Sequence, residues 1–367
     1  MCARLCLPRS TWTEFCTVST RKHLNMKALL LPHIVNLADN ARPLELVTLP
    51  DPVPRENEIL VRVSACGVCH TELDEIEGRT PPPQLPIVLG HQVVGRVVDV
   101  GVFVTRFHGG ERVGVAWIHS TCGQCAYCLN GRENLCENFR ATGRDVPGGY
   151  AEYLTVAEDF AYRLPDVFSD VEAAPLLCAG AIGYRSLVLT GLRDGQSLGL
   201  TGFGASAHLV LQMAQRRYPQ TPVYVFARSE SERQFARELG AVWAGPTEAE
   251  APLQLDAIID TTPAWTPTVE ALKNLVPGGR LVINAIRKED GDKAALTRLD
   301  YARDLWLEKE IKSVANVTRH DVSEFLLIAA EIPLKPQVQT YALADANQAL
   351  WELKQRQVHG AKVLNID

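Results

Sequence analysis

The 367-residue chain has no excess of basic charge: 37 Lys and Arg stand against 43 Asp and Glu, a net charge of −6. A surface of that sign offers little to nucleic acid or to an anionic membrane, so neither is expected as a partner. No apolar run reaches the roughly 18 residues of a membrane-spanning helix. Internal repeats and low-complexity segments are also missing. With 46% hydrophobic and 22% charged residues, disordered, collagen-like and coiled-coil classes fall away. At about 150 residues per domain, the length corresponds to two or three domains.

The first 25 residues lack the apolar centre of a secretory signal. They carry Arg4, Arg9, Arg21 and Lys22, three cysteines and one acid, Glu14. A targeting peptide has this composition, but so does a disordered tail or a stretch read from an upstream start. The strand-like Met26-Lys27-Ala28-Leu29-Leu30-Leu31 opens the folded chain, and Cys2, Cys6 and Cys16 are expected to have no site role.

What is present in quantity is cysteine, ten in all. Cys122, Cys125, Cys128 and Cys136 fall within fifteen residues. A chain this long needs no disulfides, and clustered cysteines in such a chain bind metal more often than they form bridges. A reducing, cytoplasmic compartment follows. Four thiolates on one loop make a closed tetrahedral zinc site, which is structural because no coordination position stays open.

From Met26 to about Leu164, short apolar runs are broken by Gly and Pro, as in Ile59–Val63 and Gln92–Val100. This pattern is β-rich and partly barrel-like. From about Cys178 the rhythm becomes strand–helix alternation. Strands are expected at 197–201, 223–226, 255–260 and 280–284, with helices at 205–217, 231–239 and 269–275. Such alternation builds a parallel sheet covered on both faces. Helices at 322–330 and 346–355 and strands near 339–343 and 361–366 complete the chain. Gly199-Leu-Thr-Gly202-Phe-Gly204-Ala205-Ser206-Ala207 follows a strand and opens a helix, the context in which a glycine loop cradles a dinucleotide pyrophosphate.

Several dispersed motifs share one source. Gly67-Val68-Cys69-His70-Thr71-Glu72, Gly90-His91-Gln92, the four-cysteine loop, Gly148-Gly149-Tyr150-Ala151-Glu152-Tyr153 and Leu177-Cys178-Ala179-Gly180 resemble the zinc-dependent medium-chain alcohol dehydrogenases. The resemblance runs from Met26 to the C-terminus. It implies an α/β architecture in which a GroES-like β-rich catalytic domain (26–178 and 317–367, with a structural zinc lobe at about 117–140) accompanies a Rossmann doubly wound parallel-sheet domain (179–316). Residues 1–25 stand outside both.

The resemblance further implies that Cys69, His91 and Cys178 hold a catalytic zinc, giving two zinc ions per chain. Three ligands leave a fourth position for alcohol or carbonyl oxygen. Cys66 could compete with Cys69; the family pattern favours Cys69. Thr71 matches the hydroxyl that takes the substrate proton, Glu72 the carboxylate that orients the zinc-binding histidine, and Trp117 an aromatic pocket wall. Leu85 and Ile118 would add weakly to that wall. Gly202, Gly204, Ala205 and Ser206 match the pyrophosphate loop. NAD-dependent relatives carry an acid where this chain has Ala227, followed by Arg228 and Ser229, which suits the 2′-phosphate of NADP. NADP(H) is therefore expected over NAD(H).

Four positions depart from the family pattern. Gln92 replaces a Glu, Asp74 a relay histidine, Ile182 a Thr that touches nicotinamide, and Ala361 a pyrophosphate-binding Arg, with Lys362 adjacent. The expected activity is that of an alcohol dehydrogenase or aldehyde/ketone reductase acting on a small alcohol, as a homodimer or homotetramer. A zinc-free quinone or enoyl reductase of the same fold, and a non-catalytic dinucleotide-binding zinc protein, stand as alternatives.

Overall fold

The computed structural model describes residues 25–332, 334, 336–355 and 360–366. The extension ahead of Met26, with its three cysteines, therefore lies outside the described residues apart from Asn25. Asn25–Leu31 is a strand, antiparallel to Glu45–Pro50 and to Ile87–Val88. Alternation holds at its start, where Met26 and Ala28 are buried while Lys27 faces out, and gives way to burial of both faces at Ala28, Leu29 and Leu31.

A seven-stranded sheet forms the body of the β-rich half. Its order is Ala161–Arg163, Arg112–Val115, Val93–Val100, Glu58–Val68, Ala361–Asn365 and Val338–Ala342, with Tyr153–Ala157 also pairing Glu58–Val68. Glu58–Val68 is the central strand, and Val61, Val63, Ala65 and Cys66 are almost wholly buried. The last two strands of the chain thus complete a sheet begun by the first third, so this unit is discontinuous in sequence.

Between them lies a six-stranded sheet, every pair parallel, ordered Trp243–Gly245, Val223–Phe226, Leu198–Thr201, Leu255–Asp260, Leu275–Ile283 and Glu310–Ser313. All residues of Leu198–Thr201 and Val223–Phe226 are buried, as strands covered on both faces must be. The order reverses at Leu198–Thr201, which puts a ligand crevice at the carboxyl ends of that strand and Leu255–Asp260. The helices differ from expectation mainly at their starts. Ala207–Arg217 begins two residues later than expected, because Gly202 (φ +73°) and the following turn belong to the loop. Trp265–Leu272 starts earlier and ends before the strand at Leu275.

Helical residues Asp170–Thr190 are long and apolar enough to cross a membrane by length and composition, yet 67% of the most apolar window is buried inside the protein. The stretch is a core element broken at Ala174–Leu177, where Pro175 imposes a tighter turn. Its final segment, Ala179–Thr190, starts at Cys178 and stops at Gly191, whose φ of +70° only glycine adopts readily.

Lys362 does not stand in for the missing arginine. Its side chain is 1% exposed, and Nζ donates to Glu352 Oε2 at 2.7 Å, to Tyr341 Oη at 2.5 Å and to Gln339 Oε1 at 3.1 Å. It is an internal strut between the last strand and helix Ala346–Lys354. The Lys362 ammonium, with the Tyr341 and Gln348 donors, holds the Glu352 carboxyl down to about 2 from a usual 4.5. Stability from this pair is complete above pH 4.5 and is lost as pH falls from there through about 2. Glu352→Gln should flatten the acid limb of the stability curve between pH 4.5 and 2, as read by urea unfolding at each pH.

Candidate active site

Helix His70–Ile76 is built from its N-terminus. Cys69 is the N-cap: its Sγ accepts from Thr71 N at 3.4 Å, and Glu72 Oε2 accepts from Cys69 N at 2.9 Å. This reciprocal capping box fixes where the Cys69 thiol points. Glu72 is fully buried, and its other oxygen lies 2.6 Å from His91 Nδ1. The imidazole is thereby turned so that Nε2 faces Cys69 Sγ at 3.7 Å. Cys178, from the start of Ala179–Thr190, closes the group, and the ligand atoms of Cys69, His91 and Cys178 all lie within 4.8 Å of one another.

The donor set fits a zinc ion. Bonds of about 2.3 Å to sulfur and 2.0–2.1 Å to nitrogen at a tetrahedral angle give an S···N edge of roughly 3.6 Å, close to the 3.7 Å found. The electrostatics also call for a cation. Hydrogen bonding with Cys178, then burial and the Glu72 charge, push the Cys69 thiol well above its usual range. Burial opposes a charged His91, but Glu72 and Cys69 outweigh it and raise the imidazole. Burial likewise opposes ionised Glu72, and His91 overrides it to hold the carboxyl below its usual value. A dication among the three donors would take the place of these protons. His91 is 1% exposed while Cys69 and Cys178 are half-buried, and with three protein donors a tetrahedral ion would keep a fourth position for another ligand.

The second group is closed. Cys122, Cys125, Cys128 and Cys136 bring their sulfurs within 4.8 Å of one another, with edges of 3.5, 3.6 and 3.9 Å. A zinc tetrahedron with bonds of about 2.3 Å has edges near 3.8 Å, whereas a disulfide needs about 2.05 Å. All seven described cysteines are free thiols. Backbone N–H groups of Gln124 and Cys125 hold Cys122 down to about 6, while burial lifts Cys136 to about 11. The short helix Ala126–Leu129 within the loop buries nothing, and the loop is anchored at its other end, where Glu133, Asn134 and Cys136 are buried.

Cys66 is not part of either group. It is fully buried on the central strand, its thiol bonded to Gly67 O at 3.7 Å and its pKa raised by burial. Cys69, at a helix cap, lies with His91 and Cys178, whereas Cys66 stays on the strand outside that group. Gln92 packs over Gly67, where an added Cβ would meet its side chain at 2.6 Å. Trp117 stands edge-on to His91 at 6.3 Å between ring centroids and against Phe139 at 5.8 Å. Phe139 also lines a cavity of about 320 Å³ with Pro83, Gln84, Arg140 and Asp145. Ile118 is wholly buried in its strand, whereas Leu85 is 37% exposed.

Gly202 and Gly204 lie past the carboxyl end of Leu198–Thr201. A Cβ at Gly202 would strike Thr262 Cγ2 at 2.8 Å, while one at Gly204 would enter open space. Backbone there is free to meet a pyrophosphate. Ala205 and Ser206 complete the turn into Ala207–Arg217. Arg228 is exposed just past Val223–Phe226, and Arg233 braces that loop through Ala227 O at 2.7 Å and Arg228 O at 2.9 Å. Ser229 is already engaged as the N-cap of Glu230–Glu238, with Oγ 2.7 Å from Glu232 Oε2.

Sequence reasoning missed Asp260 and Lys288. Asp260 is fully buried at the crevice and is bonded by Thr201 Oγ1 at 2.7 Å, Thr268 Oγ1 at 2.6 Å and Lys288 Nζ at 2.5 Å. An acid ending the apolar run Leu255–Asp260 was a visible signal; Lys288, far along the chain, gave none. Asp74 stands at the position of the family's relay histidine. It is 4% exposed, and its Oδ1 accepts from Arg79 Nε at 2.5 Å and Arg287 Nε at 3.0 Å. A carboxylate held this way is no solvent-facing proton terminus.

Comparison with known proteins adds to this geometry. The family description "Alcohol dehydrogenase GroES-like domain" matches residues 55–166. A probable alcohol dehydrogenase AdhA of Mycobacterium tuberculosis (strain CDC 1551 / Oshkosh) is 43% identical over 329 residues, 88% of this chain and 93% of that protein. The chain belongs to the zinc-type medium-chain alcohol dehydrogenase family. An alcohol dehydrogenase of Geobacillus stearothermophilus is 33% identical, covering 89% of this chain and 97% of its own. The solved structure of an NAD-dependent alcohol dehydrogenase superposes with a TM-score of 0.82 at 26% identity, over 93% of this chain and 100% of the other. This alcohol dehydrogenase family member is accordingly an oxidoreductase with a GroES-like and a Rossmann unit.

Because Glu72 serves the Cys69 cap and His91 together, Glu72→Ala should weaken zinc retention by about 10- to 100-fold. Competition against a chromogenic chelator measures this directly.

Proposed function

We propose that the chain is a zinc-dependent alcohol dehydrogenase interconverting a small alcohol and its aldehyde or ketone, with hydride passing to or from NADP(H). The observation that carries the reading is the Cys69–His91–Cys178 group, three converging donors that leave a tetrahedral ion one position to fill. Residues 26–178 with 317–367 act as the catalytic unit, and 179–316 as the dinucleotide unit. Cys122, Cys125, Cys128 and Cys136 hold a second, structural zinc for the lobe at about 117–140. The donor sets argue against a zinc-free reductase.

A zinc ion at the open group supplies Lewis acidity, easing deprotonation of an alcohol or polarising a carbonyl. The remaining work falls to side chains. Glu72 keeps His91 oriented. Thr71, two residues beyond Cys69, would accept the substrate proton and pass it on through ribose or water. Trp117 and Phe139 form an apolar wall that suits aliphatic or benzylic substrates better than sugars. Thr71→Val should lower kcat by roughly 10²–10⁴, the usual range for a lost proton-transfer partner. Steady-state kinetics with unchanged zinc content tests it, and a fully active variant eliminates the route.

Gly202, Gly204, Ala205 and Ser206 would cradle the pyrophosphate. Arg228 would bond the 2′-phosphate, while Ser229 is left its backbone because its hydroxyl caps a helix. Charge-assisted bonds of about 1.5–3 kcal/mol correspond to roughly tenfold to a hundredfold discrimination. Initial rates with a panel of alcohols and aldehydes should therefore show higher kcat/KM with NADP(H) than with NAD(H). Replacing Ala227 by Asp and Arg228 by Ile should reverse the order. Higher kcat/KM with NAD for the native chain overturns the assignment, and binding without turnover on any substrate favours the non-catalytic reading.

Assembly through a second copy is supported by the edge strand Glu310–Ser313, exposed throughout and flanked by exposed Tyr301, Trp306 and Leu307. The seven free cysteines among the described residues suit a reducing cytoplasm.

A further inference from the structure

The helix that carries Thr71 and Glu72 also carries Asp74, whose carboxylate meets guanidinium groups from both halves of the molecule. Arg79 follows the same helix and has a second partner in Glu77, which Lys354 shares. Arg287 comes from the segment after Leu275–Ile283 in the parallel-sheet unit and reaches Asp74 Oδ1 at 3.0 Å. The two residues in this contact are 6% and 27% exposed, so water screens it weakly.

The residue after Arg287 is anchored to the dinucleotide crevice. Lys288, 7% exposed, donates to Asp260 Oδ2, to Thr262 O at 2.8 Å and to Ala264 O at 2.9 Å. Thr262 in turn donates to Asp260 through N at 2.9 Å and Oγ1 at 2.7 Å, and it borders Gly202. Two consecutive cations therefore tie opposite sides of the cleft: Lys288 holds the loop beside the glycine turn, and Arg287 holds the helix that starts at Cys69. Neither Arg79 nor Glu77 loses all its partners if Arg287 lets go.

We propose that the Arg287–Asp74 pair is a latch between the two units, which fixes the helix bearing Cys69, Thr71 and Glu72 against the dinucleotide crevice and so couples dinucleotide binding to the geometry of the metal group. Both residues are positioning residues. The proposal rests on the reading that a nicotinamide dinucleotide occupies the crevice at Gly202.

A double-mutant cycle on the full zinc-loaded chain tests it. Dissociation constants for NADPH and NADH, read by reduced-nicotinamide fluorescence, are measured for the native chain, Arg287→Gln, Asp74→Asn and the double variant. A latch predicts that each single change weakens dinucleotide binding by about 5- to 20-fold, within the usual span of coupling between sites. The double variant should be no worse than either single one, zinc content should be unchanged, and Arg287→Lys should recover part of the loss. Native affinity in Arg287→Gln, or additive effects of the two changes, overturns the latch. If Asp74→Asn binds as the native chain does or tighter while Arg287→Gln binds worse, Arg287 contacts the dinucleotide itself and the latch is overturned. A native chain that binds neither dinucleotide overturns the underlying reading instead.

Discussion

The buried carboxylate of Glu72 is the constraint on which the rest of the site depends. One oxygen closes the capping box on Cys69 N, and the other meets His91 Nδ1. A fully buried charge costs several kcal/mol unless it is paired, and here the two partners are the backbone of one candidate metal ligand and the ring of another. Removing that carboxylate would free the Cys69 cap and the His91 tautomer together. The residues placed by this one group come from a helix start and from the loop ahead of Val93–Val100. Sequence distance between Cys69 and His91 therefore matters little.

The parts of the site differ in how far the sequence reveals them. The four-cysteine loop is legible by spacing alone, because all four of its thiols fall on one short segment. Cys69, His91 and Cys178 span more than a hundred residues and gain meaning only from the motifs around them. The parallel sheet is legible from apolar strands alternating with helices, and its reversal of order locates the crevice. Charges on long side chains are the least legible. Lys362 sits next to a family cation position but turns inward to Glu352, and Asp74 turns away from solvent to two guanidinium groups. Their partners lie on other elements, and no local pattern announces them.

Those hidden pairs share a physical role. Lys288 with Asp260 is buried on both sides, so either partner left alone would carry an uncompensated buried charge, whereas Arg287 is partly exposed and Asp74 keeps Arg79 as a second partner. Such pairs add little net stability over apolar packing, but they specify register between elements. Here the elements are the glycine turn and the helix beginning at Cys69. Hydride transfer requires reacting atoms about 3–3.5 Å apart, and a fixed register across the cleft meets that need.

The central claim is that one chain holds zinc in two unlike sites, one open and one closed. Anomalous X-ray diffraction collected above and below the zinc edge, on crystals grown without added metal, tests it most directly. The account predicts two zinc-specific peaks per chain. One should lie among Cys69, His91 and Cys178, and the other among Cys122, Cys125, Cys128 and Cys136. A peak at the four-cysteine loop alone in fully active protein, or a metal ligated by Cys66 in place of Cys69, would contradict it.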